Sequence, residues 1–344
     1  MPSSAPALSF VAAADDPRDR LDKLIVALLA RAGRVESRAS VQRWIEHGRV
    51  LLDRRPARAA AAVAAGARID VSPEPPPATS AEPDASIPLR VVFEDAHLLV
   101  VDKPAGLVVH PARGHESGTL VNALLARGGF ERAGADPRDP AGHLRPGIVH
   151  RLDKGTSGLL VVARDAPTRE ALKALFASHT IEREYVALVV GAARDATYDT
   201  LHARHPTDRL RFTSRTDTGR RAVTHVRVLS RLGPATLVAC RLETGRTHQI
   251  RVHLAERGGT PILGDPLYGR PPRDPTLRGL AEALGHQALH ARVLGFVHPA
   301  TGLAVRWTSA LPEDVEGCLR ALRQLPVTAP EGPGSPTSAA ARRR

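Results

Sequence analysis

The apolar positions change period several times along the chain. Leu21, Leu24, Ile25, Leu28 and Leu29 recur at helical spacing, which predicts a helix from Arg20 to Arg31. Val41, Trp44 and Ile45 repeat that spacing, with Ser37 placed as a cap and Gly48 as a stop. Short apolar strands follow at Val50–Leu52 and Arg68–Val71. Two short helices and a small hairpin, with Arg38, Arg43 and Arg49 on the outer side, make a compact nucleic-acid-binding shape.

Beyond residue 88, strands dominate. Val91–Phe93 and Leu98–Val101 flank a polar turn and read as a hairpin. Ile148–Asp153 and Leu159–Ala163 read as extended around a Gly/Ser turn. Tyr185–Val190, Ala222–Leu229, Thr236–Leu242, Ala288–Phe296 and Leu303–Trp307 are further strands. Thr119–Arg127 reads as a helix, and Asp165 caps another with Pro167 in its first turn. Consecutive strands on short loops, without regular βαβ spacing, imply an α+β fold. The expected body is a mixed, mainly antiparallel sheet with flanking helices, behind a small N-terminal α/β module. Polar, Gly/Pro-rich segments at 128–146 and 269–287 read as loops edging a cleft.

Composition divides the chain. Residues 72–87 are rich in Pro, Ala and Ser with three acids and no cation, an extended linker. Residues 326–344 read as a flexible tail ending in three arginines. Residues 1–17 lack a basic stretch before their apolar patch and read as a disordered leader, not a signal peptide. That leaves modules at 18–71 and 88–325. The net charge is +12. The small module holds 12 Lys+Arg against 6 acids, making it far denser in positive charge than the large one. Such a balance suits a polyanionic partner and a salt-sensitive phosphate-binding surface. No stretch approaches the roughly 18 apolar residues of a membrane span. Two cysteines, Cys240 and Cys318, make no disulfide framework, which fits reduced thiols in a cytoplasmic protein.

The stretch PGIVHRLDKGTSGLLVVAR (146–164) carries the most chemistry. It places a lone carboxylate, Asp153, between an apolar strand and a tight turn, beside His150, Arg151 and Lys154. In extended chain Arg151 and Asp153 point to one side and Leu152 to the other. Neighbouring cations favour an ionised carboxylate, which serves as nucleophile or base. A structural ion pair at a strand end is the plain alternative. A second cluster, RLETGRTHQIRVHLAERG (241–258), ends a strand at Gly245 and starts a helix near Thr247. Arg246 is placed to meet an anion there, and Arg251 lies beside the Ile250/Leu254 face. Tyr185 sits on an apolar strand within IEREYVALVVG. None of the 15 histidines falls in a metal-ligand spacing, and no P-loop or GxGxxG is present.

Two resemblances follow from these residues. RLDKLI, SRASVQRWIEHGRVLLDRRP and AGARIDV resemble the S4-type RNA-binding module, with Asp53-Arg54-Arg55 where relatives often carry a turn such as NGK. HRLDKGTSGLLVVAR, REYVALVVG, RHPTDR, AVTHVRVL, LETGRTHQIRVH, ILGDPLYG and ALHARVLGFVHP, in that order, resemble the RluA-type RNA pseudouridine synthases. That resemblance implies isomerisation of uridine to pseudouridine in structured RNA, with no metal and no nucleotide cofactor. It makes Asp153 the essential aspartate, Tyr185 the residue that stacks on the flipped base, and Arg251 the partner of the aspartate. Arg151 becomes the residue that takes the target out of its stack, and Leu289 the apolar wall against the uracil. His150, Lys154 and Arg246 join them as substrate-binding residues. Many relatives carry Asp where this chain has Gly155. The module together with VVHP (108–111) resembles the branch acting on the helix 69 loop of 23S rRNA, so the expected partner is 23S rRNA or a large-subunit precursor, bound by a monomer. The competing readings are a synthase of another rRNA or tRNA site, a non-catalytic RNA-binding assembly factor, and a glycoside hydrolase, which needs two carboxylates.

Overall fold

A computed structural model describes residues 8–16, 20–34, 36, 38–73, 82–111, 117–130 and 147–325. The chain divides into two units, the smaller containing Met1–Glu82 and the larger containing Pro83–Arg132 and Pro146–Arg344.

The small unit contains strand β1 (Leu8–Val11), helices α1 (Leu21–Arg31) and α2 (Arg38–Glu46), and strands β2 (Val50–Leu52), β3 (Arg55–Pro56) and β4 (Arg68–Val71). The strands form one antiparallel sheet in the order β1-β4-β2-β3. The leucines of α1 and Val41 and Trp44 of α2 close a core with Val50, Ile69 and Val71. Both helices lie where periodicity placed them. The Ser37 cap falls outside the described residues. So do positions 1–7 of the leader, 74–81 of the linker and the tail from 326.

One expectation for this unit needs correction. Leu8–Val11, read as disordered leader, pairs in register with β4, Phe10 opposite Ile69. The Leu8/Phe10 alternation is too short to register as a pattern, but the open edge of β4 gives it a partner and the core takes both side chains. Arg38 is exposed, as expected, and also pairs with buried Asp22: its Nε donates to Oδ2 at 2.9 Å, while Arg20 Nε donates to Oδ1 at 3.0 Å. The hydrogen bond from Arg20 holds the buried Asp22 carboxyl well below the usual range. Arg49, Arg54, Arg55 and Arg58 are exposed. The β2–β3 turn puts both Asp53 (φ 48°) and Arg54 (φ 65°) in the left-handed region. That is the two-residue hairpin geometry which usually takes Asn-Gly. Asp53 offsets its strain by accepting from Arg68 N at 2.8 Å.

The large unit contains β5 (Arg90–Glu94), β6 (Leu98–Lys103), α3 (Leu120–Arg127), β7 (Ser157–Ala163), α4 (Ala166–Ala177), β8 (Glu182–Val190), β9 (Ala196–Arg204), β10 (Phe212–Thr213), β11 (Arg220–Leu232), β12 (Ala235–Leu242), α5 (Gln249–Val252, continued by a π-helical turn His253–Arg257), α6 (Pro275–Leu284), β13 (Leu289–Val297), β14 (Ala304–Thr308) and α7 (Glu313–Arg323). The sheet runs β10-β9-β11-β12-β8-β13-β7-β6-β5, with β14 also on β13. Every pairing is antiparallel except β13 with β7. At that junction Gly158 has φ +108°, and a Cβ there would lie 2.3 Å from Ala291 O. The two strands can approach so closely only with glycine.

Ile148–Asp153 is not a strand. It makes one bridge, Ile148 to Val162, and the next β7 amide, Val161 N, donates to the His150 ring rather than to the backbone of this segment. The segment expected as a loop at 269–287 contains α6. Asp274 caps it, accepting from Leu277 N at 2.9 Å, and Pro275 opens it. With Leu277 and Leu284 as its buried residues, its apolar period is too sparse to recognise. Of the other expected loop, residues 131–146 lie outside the described residues.

Candidate active site

The segment after the Ile148 bridge is anchored by its apolar residue. Leu152 is buried, which leaves Arg151 exposed and Asp153 partly exposed, the alternation read from the sequence. The turn behind Asp153 is held from two sides. Thr156 N donates to Asp153 O at 3.0 Å, and Gly106 N donates to Lys154 O at 2.8 Å. Lys103, fully buried at the end of β6, donates Nζ to the carbonyls of Pro104, Leu107 and Lys154. A Cβ at Gly155 would lie 2.5 Å from Gln287 Oε1. Gln287 is buried and donates to Thr156 Oγ1 at 3.0 Å, so any larger residue at 155 must displace it.

Asp153 meets the second motif through Arg251. Nη1 of Arg251 donates to Asp153 Oδ2 at 2.9 Å. The same guanidinium holds Asp265 with two bonds, Nε to Oδ2 at 2.7 Å and Nη2 to Oδ1 at 2.8 Å. Burial opposes the Arg251 charge, but Asp265 and Asp153 outweigh it and hold its pKa above the ordinary value. Asp265, with a fully buried side chain, also accepts from Leu267 N and Tyr268 N. Asp265 therefore fixes the fork of Arg251, and Arg251 fixes one oxygen of Asp153. His248 has φ 59°, the last residue before α5, and its Nε2 comes to 3.9 Å from Asp153 Oδ1. Burial keeps its pKa below the ordinary value despite that carboxylate, so its ring is neutral near pH 7 and pairs through Nδ1 with Tyr268 Oη at 2.9 Å.

A cavity of about 510 Å³ opens over Asp153. It is lined by Tyr185 from β8, Leu289 from β13, Leu242, Ile250, Arg246 and Arg151 among others. Burial pushes the Tyr185 phenol up, so it stays protonated. Among the described residues lining this cavity, Asp153 is the one carboxylate, where a glycoside hydrolase needs a pair across the bond. A second cavity, about 950 Å³, shares Arg151, Leu152, Asp153, His248 and Arg251 and adds Lys154, Gly155, Leu267, Glu313 and Asp314.

The structure thus gathers Asp153, Tyr185, Arg251, Arg151, Leu289, His150 and Arg246 around one cavity, while Lys154 lines the second. His150 is committed to the fold: Nε2 accepts from Val161 N at 3.0 Å, the ring lies on Phe176, and burial pushes its pKa down to about 3. Sequence reasoning missed Asp265, His248 and Arg183. ILGDPLYG contains Asp265 without showing that its carboxylate turns inward, and His248 falls in no spacing that singles it out.

Lys103 gives a pH signature. Burial pushes its amine down to about 8, against 10.5 ordinarily, with Asp153 opposing. Between those values the unfolded chain binds more protons than the folded one, so stability rises with pH through that window. Lys103→Met removes the contribution. Denaturant midpoints of the wild type should gain on those of the variant from about pH 8 to 10; midpoints that move in parallel would contradict it.

Comparison with known proteins shows the family. Residues 97–256 match the family described as RNA pseudouridylate synthase, and residues 19–69 match the S4 domain. A ribosomal large subunit pseudouridine synthase D from Xanthomonas campestris pv. campestris is 44% identical over 335 residues, spanning 96% of this chain and 98% of its own length. A protein of the same name from Pseudomonas aeruginosa is 42% identical over 311 residues, spanning 89% of this chain and 92% of its own. Among solved structures, human RNA pseudouridylate synthase domain containing 4 aligns with a TM-score of 0.51 at 26% identity, covering 68% of this chain and 93% of that one. With identity of this order over almost the full length of both chains, the protein belongs to the RNA pseudouridylate synthase family.

Proposed function

We propose that this enzyme converts uridine to pseudouridine in the 23S rRNA of the large ribosomal subunit, at the helix 69 loop, acting as a cytoplasmic monomer. One observation carries the chemistry: a single carboxylate, held by an arginine that is itself clamped by a buried aspartate, lines a cavity together with Tyr185 and Leu289. The names of the relatives support the large-subunit target.

The target base must leave its stack to reach Asp153. Arg151, exposed at the rim, takes its place in the helix, and the uracil enters between Tyr185 and Leu289. Asp153 then adds to C1′, or takes a sugar proton once the C1′–N1 bond has broken. In either route the uracil leaves with the bonding pair, turns, and rebonds to C1′ through C5, as Asp153 leaves C1′ in the first route or returns its proton to the sugar in the second. C5 gives up a proton and N1 gains one, so the reaction balances without oxidant, reductant or co-substrate. The protonated Tyr185 and the neutral His248 flank the path of those protons. A 23S fragment containing helix 69, incubated with the protein and assayed for pseudouridine, tests this target; conversion confined to other rRNA or to tRNA would contradict it.

The small unit supplies the electrostatic grip, through exposed arginines on a core of its own. Deleting residues 1–72 should weaken rRNA binding and flatten its dependence on salt, because fewer phosphates are neutralised. An unchanged slope of log K against log salt would assign the unit another role.

A further inference from the structure

Arg183 is buried, 7% exposed, yet it meets no carboxylate among the described residues. Its Nη2 donates to the Glu243 carbonyl at 2.9 Å, and its Nε is buried with no acceptor. The Phe176 ring lies 5.4 Å from the guanidinium carbon, which returns part of the lost solvation. A buried guanidinium compensated only by a carbonyl and a ring is costly unless a ligand completes it.

Its position suits such a ligand. Strand β8 alternates, so Arg183 and Tyr185 face the same cavity one pleat apart, about 7 Å. Arg246 and Arg220 line that end of the cavity too. Their proximity appears in Arg246, whose pKa is lowered by burial first and then by Arg220 and Arg183. The chain keeps room for this guanidinium: a Cβ on Gly245 would lie 2.7 Å from Arg183 Nη1. Three arginines converge where a nucleotide placed on Tyr185 would carry its backbone.

We infer that Arg183, with Arg246 and Arg220 at the rim, binds the phosphodiester next to the target uridine, the RNA supplying the counter-charge that the buried guanidinium lacks. The inference rests on the proposed RNA substrate. Arg183 is a positioning residue, since it fixes the backbone from which the base is swung onto Tyr185.

The test uses the full chain and an RNA stem–loop that the wild type converts; lack of any conversion by the wild type would defeat the substrate reading, not this one. Each of the two phosphodiesters flanking the target is replaced in turn by a neutral methylphosphonate. One replacement should raise the wild-type KM about tenfold, the loss of one charge-assisted contact. Arg183→Gln should raise KM to a similar degree on unmodified RNA, lower the salt slope by about one, and lose nearly nothing more on the neutral linkage. Thermal unfolding checks that the variant is folded. Should it unfold at the assay temperature, Arg183→Lys, which keeps the charge without the fork, carries the same cycle and should show a reduced methylphosphonate penalty. Losses that multiply at both linkages in the folded variant, or an unchanged KM, would overturn the inference.

Discussion

Asp153→Asn should abolish pseudouridine formation, by about 10⁴-fold or more in kcat, and leave folding and RNA binding nearly intact. The two halves of this expectation have different origins. The amide is close in size to the carboxylate but is neither a nucleophile nor a base, so the chemical step has no substitute group in the cavity. The fold tolerates the change because the Arg251 charge does not depend on Asp153 alone. Asp265 keeps both of its bonds to Arg251 when Asp153 is neutral. Single-turnover conversion measured beside filter binding and thermal unfolding separates these effects. Appreciable turnover by the variant would remove Asp153 from the chemistry, and a large fall in unfolding temperature would mean that the arginine pair is less self-sufficient than its geometry indicates.

Arg251→Met should do the opposite to stability. It leaves Asp265, whose side chain has no exposure, without its cation. Breaking one partner of a buried ion pair costs about 3–5 kcal/mol, which for a unit of this size lowers Tm by roughly 10 °C. Activity should fall as well, because Asp153 loses the bond that fixes Oδ2. The backbone N–H groups of Leu267 and Tyr268 still reach Asp265 and keep the loss from being larger. Differential scanning calorimetry of Arg251→Met against Asp153→Asn gives the contrast directly. Equal Tm values for the two variants would mean that Asp265 is not the structural half of the pair.

The legible parts of the site were those written in local pattern. Leu152 between Arg151 and Asp153 sets which side chains face the cavity through simple alternation, and the structure keeps it even though the segment is no strand. The helices of the small unit follow from leucines at helical spacing. Other features depended on distant partners. Nothing near Asp265 reveals that its carboxylate clamps an arginine 14 residues earlier. Arg183 looks like one more surface cation until β8 is set among β12 and β13 and its guanidinium is carried inward. Leu8–Val11 needs β4, which lies about 60 residues away, before its short alternation has meaning. Gly155 departs from the resembling motif in sequence, and its cause lies in Gln287 packed against it.

The most direct test of the central claim is pseudouridine mapping of 23S rRNA from a strain lacking this protein, complemented with the wild type or with Asp153→Asn. Pseudouridine in the helix 69 loop should disappear on deletion, return with the wild type, and stay absent with the variant. Modification that persists in that loop without the protein, or that Asp153→Asn restores, would contradict it.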